Sequence, residues 1–445
     1  MMRKGKTLLT ASECSKSFWL AAQKLSTEVQ SRYHLYGVYQ HSQDLDLNQL
    51  IQALQVTVNT HYNLRSNFFY EGEQLKHIIH DDREANLIIY HANTAQASQE
   101  IIDCAIHQPF HLEMDLLYRF VLVKNAHNQT YTLVLNFHHI IVDEMQLAYL
   151  IRQIEDNYHQ PKSLALTDKS AIKKLEEYLV WEKEQIQKAS AVLSVSQFKE
   201  YSNRIELPYK TRSIEQIEKE VRAKNYVLGD DLYQKLKAFS TETGFSVFNL
   251  LKTAWATLMA KYSNQAQATI NSPCDMRKEQ FEEIKGCYLQ ACSHPVDLEL
   301  SLQEIIEAER KNRALPIHAI LSRIRHASSG EVSIVRAPAD FVSLKLAQEN
   351  KGEGHKQLGN AALLLRYDEW DGQLHYQILS AEHLFEAWWL ENTPAHFETL
   401  LINLIEQRNE KLKRINILTP REYQKIVYDY NRTDREYPRD KTIHA

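Results

Sequence analysis

Apolar residues recur with two different spacings along the chain, and the spacing changes near residue 140. Residues 131–137 are rich in β-branched, aromatic and aliphatic side chains, which is typical of a buried strand. From Leu147 to Tyr158 the apolar positions follow the spacing of a helix with one buried face. Residues 136–144 are therefore predicted to lie at a strand-to-helix junction, where side chains can reach a cleft from a fixed backbone.

The same two spacings predict many of the remaining elements. Gly244 is suited to end a helix, and the pair Asp371-Gly372 predicts a tight hairpin turn. Thr393 is expected to cap a helix whose first residue is Pro394. Strands are expected around residues 33–39, 118–124, 225–228, 363–369 and 373–379, and helices around residues 10–25, 47–58, 230–243 and 246–262.

Composition narrows the class of protein. The 445 residues are 44% hydrophobic and 24% charged, which allows two sizeable cores. A formal net charge of −5 argues against a nucleic-acid binder with a basic surface. No apolar run is long enough to span a bilayer, and no signal-peptide core follows the basic N-terminus. We therefore expect a cytoplasmic protein.

The cysteines have no metal-binding or disulfide pattern. They are odd in number and scattered, so free buried thiols are expected, and a nucleophilic cysteine has no support from neighbouring residues. No HExxH, CxxC or glycine-rich phosphate loop is present, which disfavours a metal site and nucleotide chemistry. The five cysteines are Cys14, Cys104, Cys274, Cys287 and Cys292.

The junction carries residues suited to proton transfer. Histidine titrates near neutral pH, so His139 is a candidate base and Asp143 could orient it or brace the loop. The spacing alone favours the alternative that both His138 and His139 are structural. A third alternative is that His138, His139 and Asp143 bind a metal ion.

The order His138-His139-x-x-x-Asp143 resembles the HHxxxDG signature of the condensation domains of nonribosomal peptide synthetases. Those domains belong to a superfamily that includes chloramphenicol acetyltransferase. Further segments resemble other motifs of the family in the same order, although the sixth and seventh motifs match poorly. The matching positions are Ser12, Phe18 and Trp19, then His61, Leu64, Arg65 and Phe68, then Val180 and Trp181, then Arg277, and then Gly286 and Tyr288.

The resemblance implies a fold and a division of the chain. The fold is α/β, with two chloramphenicol acetyltransferase-like lobes that form a V-shaped pseudo-dimer around a central cleft. Residues 1–170 are expected to form the N-terminal lobe with the HHxxxD motif, and residues 171–410 the C-terminal lobe. Residues 411–445 resemble the linker toward an adenylation domain.

The resemblance also implies a reaction. A donor acyl or peptidyl thioester is joined to the amine of an aminoacyl thioester, which forms an amide bond. Both substrates arrive on the 4'-phosphopantetheine of peptidyl carrier domains, and no cofactor is bound covalently. The implied partners are the two carrier domains and an adjacent adenylation domain, without nucleic acid or membrane.

Each motif residue has an expected role under the resemblance. His139 acts as the base or positions the amine, and His138 orients the loop. Asp143 forms a buried ion pair with Arg277. Arg65 and Trp181 support the structure rather than the chemistry.

Glu144 departs from the family, which has glycine at this position. A glutamate adds bulk and negative charge beside the expected base, so it could narrow the acceptor side or favour a cationic acceptor. It could equally point to solvent.

Three alternatives come from other functional classes. They are a catalytically silent recruitment module, an epimerization domain, and a stand-alone acyltransferase that uses coenzyme A. Loss of the usual glycine favours the first, whereas both histidines and Asp143 oppose it. The adenylation-like tail disfavours the other two.

Overall fold

A computed structural model provides the three-dimensional structure. It describes residues 5–24, 30–31, 33–42, 45–160, 169–190, 205, 207–208, 221–277, 279–312, 332–336, 349–350, 362–370, 372–381 and 384–433.

The described residues of the N-terminal half form seven strands and four helices, and a fifth helix follows them. Its elements are β1 (Lys6–Thr10), α1 (Glu13–Lys24), β2 (His34–Ser42), α2 (Leu47–Thr60), β3 (Ser66–Glu71), β4 (Gln74–His80), β5 (Leu87–Ala92), α3 (Ala95–His107), β6 (Tyr118–Asn125), β7 (Thr130–His138), α4 (Glu144–His159) and α5 (Lys169–Ser190).

The C-terminal half repeats the mixture of strands and helices. Its elements are β8 (Val221–Val227), α6 (Asp230–Thr243), α7 (Val247–Tyr262), β9 (Gln267–Asp275), β10 (Leu289–Asp297), α8 (Leu302–Asn312), β11 (Val332–Arg336), β12 (Glu349–Asn350), β13 (Leu363–Trp370), β14 (Gln373–Ala381), α9 (Ala387–Glu406) and α10 (Pro420–Tyr423).

The described strands form three sheets. A five-stranded sheet has the order β12-β2-β7-β6-β5, a three-stranded sheet the order β1-β4-β3, and a six-stranded sheet the order β10-β9-β11-β13-β14-β8. β6 and β7 pair antiparallel, so the predicted hairpin places the end of β7 in the middle of its sheet. The expected α/β class is therefore confirmed.

Two large hydrophobic cores correspond to the two lobes. The first packs α2 and α4 against the five-stranded sheet, with Leu54, Phe137 and Leu150 fully buried. The second packs α7 and α9 against the six-stranded sheet, around Trp255 and Phe397. Burial of large apolar side chains is the main stabilising term in both lobes.

The two lobes are joined by packing and by a strand pair. A smaller aromatic cluster brings Tyr62 of the first lobe against Tyr178 of α5 and Tyr288 of the second lobe. In addition, β12 pairs antiparallel with β2, through Glu349 and Gln40. Segments more than 200 residues apart in sequence are thus held together, since the Lys285 amide also donates to the hydroxyl of Tyr62.

The prediction that Thr393 caps a helix was wrong. The helix α9 spans Ala387–Glu406, so Pro394 lies in its interior and Thr393 is fully buried. The hydroxyl of Thr393 donates a hydrogen bond to the carbonyl of Trp389, 2.8 Å away. Burial of Trp389 and Leu390 in the second core outweighs the helix-breaking tendency of the proline.

Other predicted boundaries agree closely with the structure. α6 ends where expected, and Gly244 follows it with a φ of +67°, a conformation that glycine adopts without strain. The predicted linker 411–445 begins with residues that pack on the second lobe, since Leu412 and Ile415 are buried in its core. Residues 434–445 lie outside the described part of the chain.

Candidate active site

The HHxxxD segment connects β7 to α4. β7 ends at His138, and α4 begins at Glu144 with Asp143 as its N-cap. The backbone between them is held by a hydrogen bond from the His139 amide to the carbonyl of Tyr33, at 2.7 Å. The amide of Ile141 donates to the carbonyl of His138, so the chain turns tightly there. The predicted strand-to-helix junction is therefore present.

His138, the last residue of β7, is buried. Its Nδ1 accepts a hydrogen bond from the backbone amide of Ile140, at 3.1 Å. Burial lowers the pKa of His138 well below its usual value, so the ring is neutral at physiological pH. A neutral ring whose Nδ1 is an acceptor carries its proton on Nε2. These contacts suit a residue that orients the loop.

His139 is only half-buried, and it is held by two other elements. Its ring stacks on Phe18 of α1, with centroids 4.5 Å apart and planes at 26°. Its Nδ1 lies 3.4 Å from the Sγ of Cys287, which precedes β10 in the second lobe. The two lobes therefore meet at this imidazole.

Asp143 holds the strand-to-helix junction in place through its carboxylate. Its Oδ1 accepts a hydrogen bond from the Gln146 amide at 2.8 Å, which caps α4. Its Oδ2 accepts one from the Tyr288 amide at 3.3 Å and lies 3.1 Å from Nη2 of Arg277. The side chain of Asp143 is fully buried and that of Arg277 is 6% exposed. The structure thus brings together the two residues that the family resemblance pairs.

Arg277 is also held by a second carboxylate and by an aromatic ring. Its Nε lies 2.8 Å from Oδ1 of Asp275, and its guanidinium lies 5.8 Å from the ring centre of Tyr288. Burial opposes the charge, but the attraction of Asp143 and Asp275 raises the pKa of Arg277 above its ordinary value. The guanidinium is therefore charged, and it is the counterion of the buried Asp143.

Glu144 is the first residue of α4, and its side chain lies outside the described part of the structure. The backbone at this position is helical, a conformation that does not require glycine. The usual glycine would therefore differ from Glu144 in bulk and charge rather than in backbone freedom. The predicted effect on the acceptor side stays a prediction.

Arg65 lies in the short helical turn Tyr62–Arg65 that follows α2. It is 2% exposed, its Nε donates to the carbonyl of Val58 at 3.1 Å, and its Nη1 donates to the carbonyls of His80 and Asp81. It ties the end of α2 to the end of β4. These contacts support the bracing role expected for it.

Trp181 packs in the aromatic cluster between the lobes. Its ring centre is 5.7 Å from that of Tyr178 and 5.4 Å from that of Phe281. The side chain is half-buried, and its contacts are those of a packing residue.

Sequence reasoning missed Cys287 as a neighbour of His139. The sequence predicts free buried thiols; Cys14 and Cys287 are buried and form no disulfide, whereas Cys104 is exposed, so the prediction was wrong for Cys104. The side chains of Cys274 and Cys292 lie outside the described residues. The one signal in the sequence was that Cys287 lies between Gly286 and Tyr288, inside the fifth motif.

Among the described side chains, no three His, Cys, Asp or Glu groups converge as metal ligands would. No helix in the described ranges is long and apolar enough to cross a bilayer.

The family model for the condensation domain matches residues 12–306. The chain is 24% identical over 430 residues to Gramicidin S synthase 2 of Aneurinibacillus migulanus. That alignment covers 90% of this chain but 9% of the relative, so the chain corresponds to a small part of a much longer protein.

Solved structures share the fold. The first condensation domain of the calcium-dependent antibiotic synthetase aligns with a TM-score of 0.63 and 13% identity, covering 93% of this chain and all of that one. The epimerization domain from the third module of tyrocidine synthetase B aligns with a TM-score of 0.65 and 16% identity, covering 91% of this chain and 99% of that one. The two-lobed fold is therefore common to domains named for different reactions.

Proposed function

The chain belongs to the condensation domain family, and we propose that it forms an amide bond between a donor thioester and the amine of an acceptor aminoacyl thioester. The observation that carries this proposal is the position of His139. It is a half-buried imidazole at the meeting point of the two lobes, on a loop locked by the buried pair Asp143 and Arg277. A base on a rigid support is what an attacking amine needs.

The proposed reaction is an acyl transfer from sulfur to nitrogen. The neutral amine attacks the donor carbonyl, the new C–N bond forms, and the C–S bond of the donor thioester breaks. The amine loses a proton and the leaving sulfur takes one, so the products are an amide and a free thiol. His139 holds the amine in line and accepts its proton as the bond forms. His138, which is buried and neutral, keeps the loop in shape.

The substrates reach the site on carrier domains in this proposal. Each thioester is attached to the 4'-phosphopantetheine of a peptidyl carrier domain, one for the donor and one for the acceptor. An adenylation domain follows in the longer chain. The linker that leads to it begins with the segment that packs on the second lobe through Leu412 and Ile415. The chain itself binds no covalent cofactor, and we place the reaction in the cytoplasm.

The test is single-turnover amide formation between two carrier domains, one bearing an acyl thioester and the other an aminoacyl thioester. Intact-protein mass spectrometry follows the acyl group from donor to acceptor. The variant His139→Ala is compared with His91→Ala, because His91 is an exposed histidine on β5. We expect product from the wild type and His91→Ala, and a 10²–10⁴-fold slower rate, to order of magnitude, from His139→Ala.

Two results would contradict the proposal. Equal rates for the wild type and His139→Ala would show that His139 does not act as the base. A folded wild type that forms no product with varied donors and acceptors would instead favour the recruitment module.

A further inference from the structure

Two thiols lie beside His139. Cys14 is on α1 and Cys287 immediately precedes Tyr288, yet their sulfur atoms are 3.7 Å apart. Both side chains are buried, at 0% and 2% exposure. Only Cys287 also reaches the imidazole, with its Sγ 3.4 Å from Nδ1 of His139. The two cysteines thus lie in the same buried cluster, but Cys287 contacts the ring of His139 and Cys14 does not.

The group beside Nδ1 matters because a neutral imidazole has one proton for two nitrogens. If Nδ1 carries the proton, Nε2 keeps the lone pair that a base requires; if Nε2 carries it, the ring cannot accept another proton there. A partner that accepts a hydrogen bond from Nδ1–H therefore holds His139 in the tautomer whose Nε2 can act as a base.

The thiol of Cys287 can be such an acceptor. A thiol is a weak donor and a weak acceptor. The carbonyl of Leu289 lies 3.2 Å from the sulfur of Cys14 and 3.9 Å from that of Cys287. With both S–H groups turned toward this carbonyl, the sulfur of Cys287 is left to accept the proton of Nδ1 on His139.

We propose that Cys287 is a positioning residue for His139, which holds the imidazole in the tautomer whose Nε2 faces the reaction. This inference rests on the proposed function of His139. The side chain is buried and also fills the space between α1 and the second lobe.

The variants that test the role separate hydrogen bonding from packing. Cys287→Val fills the site with a somewhat larger apolar side chain and removes the acceptor, whereas Cys287→Ser restores an acceptor. Cys14→Ala is the matched control, because it removes a buried thiol from the same cluster without removing a contact to His139. Cys287→Ser also guards against a Val variant that does not fold.

The kinetic readout is the single-turnover rate as a function of pH. We expect Cys287→Val to lower the rate about tenfold, the value of one lost hydrogen bond, and to shift the pH at which the rate rises. Cys287→Ser should recover most of the rate. Cys14→Ala should leave the shape of the pH profile unchanged, although it can lower thermal stability.

A second readout does not depend on activity. Nitrogen chemical shifts of ¹⁵N-histidine-labelled protein report which ring nitrogen carries the proton, and the signals of His139 are those absent from His139→Gln. We expect the Nδ1–H tautomer in the wild type and a mixture of tautomers in Cys287→Val.

The outcomes distinguish this inference from the proposed function. Identical His139 spectra in the wild type and Cys287→Val would overturn the positioning role, whether or not the wild type forms product. An acyl adduct on Cys287 would also overturn it, because the thiol would then be a nucleophile. A wild type with the Nδ1–H tautomer but no product would contradict the proposed function and leave the positioning of the ring supported.

Discussion

Asp143 and Arg277 form a buried ion pair between the two lobes, with 3.1 Å between Oδ2 and Nη2. The carboxylate also caps α4 and accepts the amide of Tyr288. Its partners lie on α4 and on the segments that follow β9 and precede β10, so one side chain couples the start of α4 to the second lobe. Its removal should affect the fold as well as the chemistry.

Asp143→Ala is therefore expected to destabilise the protein by about 3–5 kcal/mol, because it leaves the guanidinium of Arg277 buried without its main partner. The measurement is the free energy of unfolding in denaturant. Asp275→Ala is the control, since that carboxylate also contacts Arg277 but is 45% exposed, and it should cost about 1 kcal/mol or less. An Asp143→Ala variant as stable as the wild type would refute the role of the pair.

The two adjacent histidines should respond differently to truncation. His138 is 3% exposed and accepts the amide of Ile140, so His138→Ala should lower the free energy of unfolding by roughly 2–3 kcal/mol. His139→Ala should leave most of the stability intact and reduce the rate instead. The measurements are thermal melting and single-turnover rates for both variants. A stable but slow His138→Ala beside an unstable His139→Ala would interchange the two roles.

Glu144 can be tested through acceptor choice. Glu144→Gly is expected to raise the rate with a neutral acceptor relative to a cationic one, because a negative charge near the amine is removed. Glu144→Gln separates charge from bulk, since it keeps the size of the side chain. Relative rates with lysine-like and leucine-like aminoacyl acceptors are the measurement. Unchanged relative rates in both variants would mean that the side chain does not face the acceptor.

Arg65 is predicted to matter for stability and not for substrate choice. Arg65→Lys keeps the charge but cannot donate to the carbonyls of Val58, His80 and Asp81 together, because an ammonium lacks the planar fork of a guanidinium. We expect a loss of about 2–3 kcal/mol in the free energy of unfolding. The rate of the folded variant with each acceptor should match that of the wild type; a change in acceptor preference would contradict the bracing role.

Acid should destabilise the fold through buried histidines. Burial lowers the pKa of His34 to about 4, and of His61 and His77 to about 3, from an ordinary value of 6.5. The unfolded chain therefore takes up protons below pH 6.5 that the folded protein does not. Stability is fully present above that pH and falls as the pH is lowered toward the folded values, by up to roughly 1.4 kcal/mol per pH unit for each histidine.

His61→Phe tests this pH dependence at one site. Neither ring nitrogen of His61 has a hydrogen-bond partner in the described structure, and its ring packs 5.6 Å from that of Tyr149. The variant should fold at neutral pH and lose stability less steeply than the wild type as the pH falls from 6.5. Denaturant unfolding across that range is the measurement, and an unchanged slope would show that His61 takes up no proton on unfolding.

Local patterns predicted most of the elements around the site. The helix at residues 230–243 and the hairpin of β6 and β7 match their predicted positions, because spacing of apolar residues and turn residues act over a few positions. The prediction failed at Pro394, where packing of distant residues decided the outcome, and it did not include β1. β1 is a strand only because it pairs with β4, about 70 residues later.

The sequence by itself determined that His138, His139 and Asp143 lie on one loop between a strand and a helix, since that depends on local spacing. Tertiary structure alone decided that Phe18 and Cys287 hold the ring of His139 and that Arg277 reaches Asp143 at 3.1 Å. These contacts join residues more than 100 positions apart. Their geometry is set by how two cores pack against each other, which no local pattern records.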